Sequence, residues 1–210
     1  MSSTLVLLHG GPGFDHTMYK PAFSALADLV QIIYFDQRGN GRSTGSNPDT
    51  WNLAQWGDDV KGLCDELGIE RPIVYGSSFG GFVAQSYATR HPDHPAKLVL
   101  ASTAARMDFA TVFAEFERIG GSRARDIAEA YWLHPTVESR AKYLEICLPL
   151  YRPCSAEADG KPDGLKRIVV NNDLALKFNG PRNEQGRMDF RSDLGRIRCP
   201  VLILAGGKTR

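Results

Sequence analysis

The sequence predicts an α/β fold: a mostly parallel sheet flanked by helices, with an inserted helical segment. Three observations predict it. Short runs rich in Val, Ile and Leu, without polar alternation, recur through the first hundred residues and return near the end; strands buried on both faces read this way. Helical patterns fall between these runs, and such alternation builds a parallel sheet through right-handed crossovers. From about 104 to 190 no strand-like run occurs.

The elements follow in order. Thr4–Leu8 is a continuous apolar run and the first strand, and 30–35 is the second. A helix is expected between them, over about 19–27. Leu53, Trp56, Val60, Leu63 and Leu67 recur at helical spacing and leave Asp58, Asp59, Lys61, Asp65 and Glu66 outside, with Gly68 as the stop. The third strand is 72–75. The helix after it runs from Phe79 to Arg90 and ends before Pro92, which cannot continue it. The fourth strand is 97–102. Helical stretches at 126–133 and 139–148 and a polar loop over 152–164 fill the middle, and 200–204 is the last strand. The chain therefore divides into a first core part (1–103), a helical insertion (104–190) and a resumed core (191–210). An insertion there lies beyond the carboxyl end of a strand, where α/β sheets bind ligands.

Composition excludes several classes. Lys plus Arg number 25 against 24 Asp plus Glu, a net charge of +1, so no excess of positive charge exists to displace counterions from nucleic acid. At 42% hydrophobic the chain is not a disordered tail. Its longest apolar runs, 98–101 and 201–205, are far too short to cross a bilayer, and the start lacks a signal-peptide pattern. Cys64, Cys147, Cys154 and Cys199 are scattered, with neither zinc-ligand spacing nor the density of a disulfide framework. Free thiols point to a reducing compartment, the cytoplasm. No metal or other cofactor is implied.

The chemical signal is Gly76-Ser77-Ser78-Phe79-Gly80-Gly81, directly after a strand and opening a helix. Gly-x-Ser-x-Gly in a tight strand-to-helix turn presents the serine hydroxyl at the top of the sheet, as a nucleophile. Gly76 and Gly80 are required where a side chain would strike the neighbouring strand or helix. The Phe79 N–H, at the helix start, faces the oxygen that becomes negative during attack. By composition a chain of this length holds roughly 0.13 chance matches to the bare pattern. Upstream, His9-Gly10-Gly11-Pro12-Gly13 follows the first strand. Its glycines let backbone approach a substrate, and the Gly11 N–H is the candidate second oxyanion donor. His9 and Gly10 are read as structural support.

These two segments, together with Asp36-Gln37-Arg38-Gly39-Asn40-Gly41-Arg42-Ser43, resemble the α/β-hydrolase superfamily in its proline iminopeptidase-like branch. The resemblance covers essentially the whole chain, with the helical insertion where that family carries its cap. It implies a serine hydrolase acting on an ester, amide or N-terminal aminoacyl bond of a small molecule or short peptide. Ser78 would attack, Gly11 and Phe79 would hold the oxyanion, and water would free the acyl group. Arg38 is read as a structural anchor. The iminopeptidase version needs cap carboxylates for the substrate amine, and Glu115, Glu117, Glu129, Glu138 and Glu145 are available.

The sequence departs from the family at its end. Ala205-Gly206-Gly207-Lys208-Thr209 places Thr209 where the family has its acid, and the family's histidine would come later still. The expectation is a chain short at both ends, nearly inactive, with unpaired sheet edges prone to self-association. None of His9, His16, His91, His94 or His134 reads as a replacement base, and Asp108 reads as a surface carboxylate. The alternative is a non-catalytic ligand-binding or interaction protein on the same fold.

Overall fold

The structure is a computed structural model that describes residues 3–43, 45–151 and 167–206. The loop expected over 152–164, Cys154 within it, and Thr209 lie outside these residues. Among the described residues five strands form one sheet in the order β2-β1-β3-β4-β5: β1 (Thr4–Leu8), β2 (Gln31–Tyr34), β3 (Ile73–Ser77), β4 (Lys97–Ala101) and β5 (Val201–Leu204). All four pairings are parallel, from Thr4 opposite Gln31 to Ala101 opposite Leu204.

Side-chain alternation along β1 explains why its run is apolar throughout. Val6 and Leu8 face α1 (Leu53–Glu66) and α2 (Phe79–Arg90), joining Trp56, Val60, Phe79 and Val83. Leu5 and Leu7 face the other side, with Tyr19. In α2 every residue from Phe79 to Thr89 is buried, so this helix has no polar stripe to read. Asn52 caps α1 by accepting the Gln55 N–H. Leu67, counted in the sequence as part of the apolar stripe, is the residue after the last turn and is exposed.

The helix expected over 19–27 is not formed. Two short 3-10 turns, His16–Tyr19 and Ala22–Leu26, stand there instead. Pro21 between them has no N–H to donate, so a continuous helical ladder cannot run through it.

The middle segment is more helical than its sequence suggested. α3 (Phe109–Leu133) begins well before the stretch at 126–133 and breaks once, at Gly121 (φ 73°, ψ −178°). α4 (Val137–Ile146) starts in a capping box between Thr136 and Ser139. The two helices share a core of their own, including Phe113, Phe116, Ala128, Tyr131, Tyr143 and Cys147. Two further helices, α5 (Asn172–Phe178) and α6 (Glu184–Arg187), were not anticipated. From α5, Leu174 and Phe178 return into the main core. Phe190 N–H donates to Ala105 O at 2.8 Å, and Arg106 bridges to Asp189, so the two ends of the segment lie side by side. At the sheet edge the four residues of β5 are all exposed. Among the described residues Cys64 and Cys147 are buried free thiols, and no helix is long and apolar enough to cross a membrane.

Candidate active site

Ser78 links β3 directly to α2 and sits at φ 53°, ψ −120°, a left-handed conformation that side chains rarely adopt. The surrounding backbone holds it there. Ser78 N–H donates to Ala101 O at 3.0 Å, and Thr103 Oγ1–H donates to Ser78 O at 2.9 Å. Its neighbours pack too closely for side chains: a Cβ on Gly76 would lie 2.3 Å from Gly80 O, and one on Gly80 would lie 1.9 Å from Leu8 O. Ser78 itself is exposed, and its side chain makes no capping bond to α2. The hydroxyl is thus uncommitted beside the positive end of a twelve-residue helix.

The His-Gly-Gly segment meets this turn. A Cβ on Gly10 would lie 3.6 Å from Ser78 Cβ, and Gly11 takes φ 133°. The Asp-Gln-Arg-Gly-Asn loop holds the segment from behind. Asn40 Oδ1 accepts the Gly13 N–H at 2.8 Å, and Gln37 Nε2 donates to His9 O at 2.9 Å. His9 is fully buried; its Nε2 accepts the Gln37 N–H at 3.2 Å while Nδ1 lies 2.8 Å from Gly10 O. These partners suit the neutral ring with its proton on Nδ1. Asp36 accepts from the backbone N–H groups of His16 and Arg42, and buried Asp15 from the Thr17 and Val169 N–H groups. Arg38 forms a bidentate pair with Asp59, away from the cavity.

This network sets an acid limit on stability. Burial holds the His9 pKa below the ordinary 6.5. An unfolded chain therefore takes up a proton below 6.5 that the folded chain refuses, and stability falls as pH drops through that window. For Asp15 and Asp36 burial works to raise the pKa, but the hydrogen bonds outweigh it and both lie below 3.8. A second loss follows as pH falls below 3.8. The urea midpoint should decline in both windows; a midpoint flat from neutrality down to 3.8 would contradict a neutral buried His9.

Above Ser78 the helices α3 and α4 close a cavity of about 350 Å³. Its floor is Gly10, Gly11, Ser78 and Ser102, and its roof carries Tyr131, Trp132, Arg140 and Tyr143. Ser102 is the second non-glycine residue at positive φ (47°), directly after β4. Among the described residues no histidine and no carboxylate lines this cavity. His16 pairs with Asp36 at 2.6 Å. His91 pairs with Asp58, and His94 with Tyr87, at the far end of α2, about 18 Å along the helix from Ser78. His134 ends α3 and is exposed. Asp108 caps α3 through the Thr111 N–H. Glu115 pairs with Arg118, Glu117 and Glu129 with Arg125, and Glu138 with Lys142; Glu145 is not among the lining residues either.

Arg140 is the residue that the sequence reading passed over. It stands on the buried face of α4, where Arg140, Tyr143 and Cys147 follow at helical spacing, and it is 3% exposed. A charged residue inside an apolar stripe was the available signal.

A model of the α/β hydrolase fold family matches residues 3–126. The chain is 37% identical to "Putative carbamate hydrolase RutD" of a Caulobacter species, over 49% of this chain and 38% of that protein. It is 41% identical to the proline iminopeptidase PfmaB of Pestalotiopsis fici, over 97% of this chain and 74% of that protein. The chain thus spans well under half of one relative and about three quarters of the other. A thermophilic esterase of Thermogutta terrifontis, 24% identical, shares the fold with a TM-score of 0.67 over 98% of this chain and 72% of its own. With the family model matching more than half of its residues, and with PfmaB 41% identical and covered to 74%, the chain belongs to the α/β-hydrolase fold family.

Proposed function

We propose that the chain carries the nucleophile and oxyanion half of a serine hydrolase for small esters or amides. The observation that supports it most is Ser78: an exposed, uncommitted hydroxyl held at a left-handed turn on the floor of the cavity beneath α3 and α4. In this reading Ser78 Oγ attacks the acyl carbonyl and its proton passes to a base. The Phe79 and Gly11 N–H groups receive the oxyanion, and water releases the acyl group. The helices α3 and α4 act as a cap that shapes the substrate pocket and excludes water. The base is not among the described residues lining the cavity, so the Ser78 hydroxyl here is a weak nucleophile and turnover by this chain is slow.

An activated phosphonate ester tests the reading. It should label Ser78 slowly, and Ser78→Ala should abolish labelling while leaving the unfolding midpoint near that of the parent. Undiminished labelling of Ser78→Ala would refute it. A second reading, a protein that binds a ligand in this cavity without reacting, is favoured by the absence of a lining histidine among the described residues. Saturable ligand binding with no labelling at all supports that one.

A further inference from the structure

The cavity over Ser78 holds one ionised side chain among its described lining residues, and no carboxylate among the described residues pairs with it. Arg140 projects from the buried face of α4, and only 3% of it is exposed. Its Nη2 donates to Pro12 O at a long 3.4 Å, next to Gly11 in the loop below. The guanidinium lies over the Phe14 ring, 5.5 Å from its centroid. Its Nε is buried with no hydrogen-bond partner. Tyr131 and Tyr143, the titratable groups nearest it, are held neutral by burial.

A guanidinium stays protonated in proteins, and a buried charge without a partner is costly. Seven other arginines among the described residues avoid that cost: Arg38, Arg42, Arg90, Arg118, Arg125, Arg191 and Arg198 each reach a carboxylate within 3 Å. Arg140 instead lines a space of about 350 Å³ together with Phe82, Trp132 and Leu144, a volume suited to a small organic ligand. An anion entering that space supplies the missing partner. A cation, such as the free ammonium of a peptide N-terminus, meets a like charge and, among the described residues, no lining carboxylate.

We infer that Arg140 is a specificity-determining residue, and that this cavity takes ligands in which an apolar or aromatic body carries a carboxylate. The inference rests on the reading that the cavity is the substrate site. It narrows the substrate to esters or amides of that kind and sets the chain apart from hydrolases that select an N-terminal amine.

Calorimetry on the parent chain tests it with two non-reactive probes of one shape, phenylpropionate and its primary amide. The acid should bind roughly tenfold to a hundredfold tighter than the amide, the span expected when a hydrogen bond becomes charge-assisted. Arg140→Met should erase the difference, and Arg140→Lys should keep part of it. Equal binding of acid and amide by the parent, no binding of the acid in the millimolar range, or a preference that survives Arg140→Met would each overturn the inference. The parent comparison needs no variant, so it decides even where Arg140→Met does not fold. An arginine that only ties α4 to Pro12 would produce no acid preference. Phenylpropionate should also slow phosphonate labelling of Ser78. If Ser78 is never labelled, the nucleophile reading fails on its own, and the calorimetric comparison still decides the anion site.

Discussion

Gly80→Ala should destabilise the fold sharply. The added Cβ would lie 1.9 Å from Leu8 O, 2.5 Å from Leu8 C and 2.7 Å from His9 O, all backbone atoms. A flexible side chain could move aside, but Leu8 cannot, because it is paired in the centre of the sheet opposite Gly76. Overpacking a core costs about 1–3 kcal/mol, and a collision with strand backbone belongs at or above the upper end. Set against a total stability of roughly 5–15 kcal/mol, about 3 kcal/mol or more removes a large fraction. Gly62→Ala is the matched control. It lies within α1 with no heavy atom within 4 Å of the new Cβ, and helix propensity favours it by about 0.5–1 kcal/mol. Urea unfolding of the pair should move the two midpoints in opposite directions. A Gly80→Ala midpoint equal to that of the parent would show that α2 does not need its close approach to β1.

The same close packing explains what was legible in the sequence. The Gly76–Gly80 turn is a local device: its glycines, the strand before it and the helix after it all fall within a short stretch of chain. Its geometry could therefore be argued before any fold was known. The strands were legible because burial on both faces leaves an unbroken apolar run, as in β1. Other features depend on partners distant in sequence. Phe178 is buried because Trp56, Phe79 and Phe82 surround it, and nothing near residue 178 announces them. Arg140 was not legible, because the face it shares with Tyr143 becomes an interior only when α4 packs over the His-Gly-Gly loop. The 3-10 turns around Pro21 show the converse error: the helix expected over 19–27 would run through a residue that cannot complete one.

Phe178→Ala should weaken both the fold and the site. The Phe178 ring is 1% exposed and meets Phe79 edge-on at 5.0 Å, Trp56 at 5.8 Å and Phe82 in a stack at 6.4 Å. Truncating a buried phenylalanine costs about 3–5 kcal/mol through lost transfer energy and the cavity left behind. The functional consequence follows from position. Phe178 comes from α5, in the middle segment, but packs on the ring of Phe79, whose N–H directly follows Ser78. Loosening Phe79 moves the proposed oxyanion donor while the Ser78 hydroxyl remains in place. Phosphonate labelling of the folded fraction should therefore slow along with the drop in the urea midpoint. Phe178→Leu separates the two effects. Leucine refills most of the volume and should restore much of the stability. It has no aromatic edge to hold Phe79, a contact worth about 0.5–1.5 kcal/mol beyond area burial, so labelling should stay slower than in the parent. Full recovery of labelling by leucine would mean that α5 only fills space behind the turn. Slow labelling in a stable Phe178→Leu variant would mean that the helical segment helps set the geometry of the residue after Ser78, through a ring that touches no substrate.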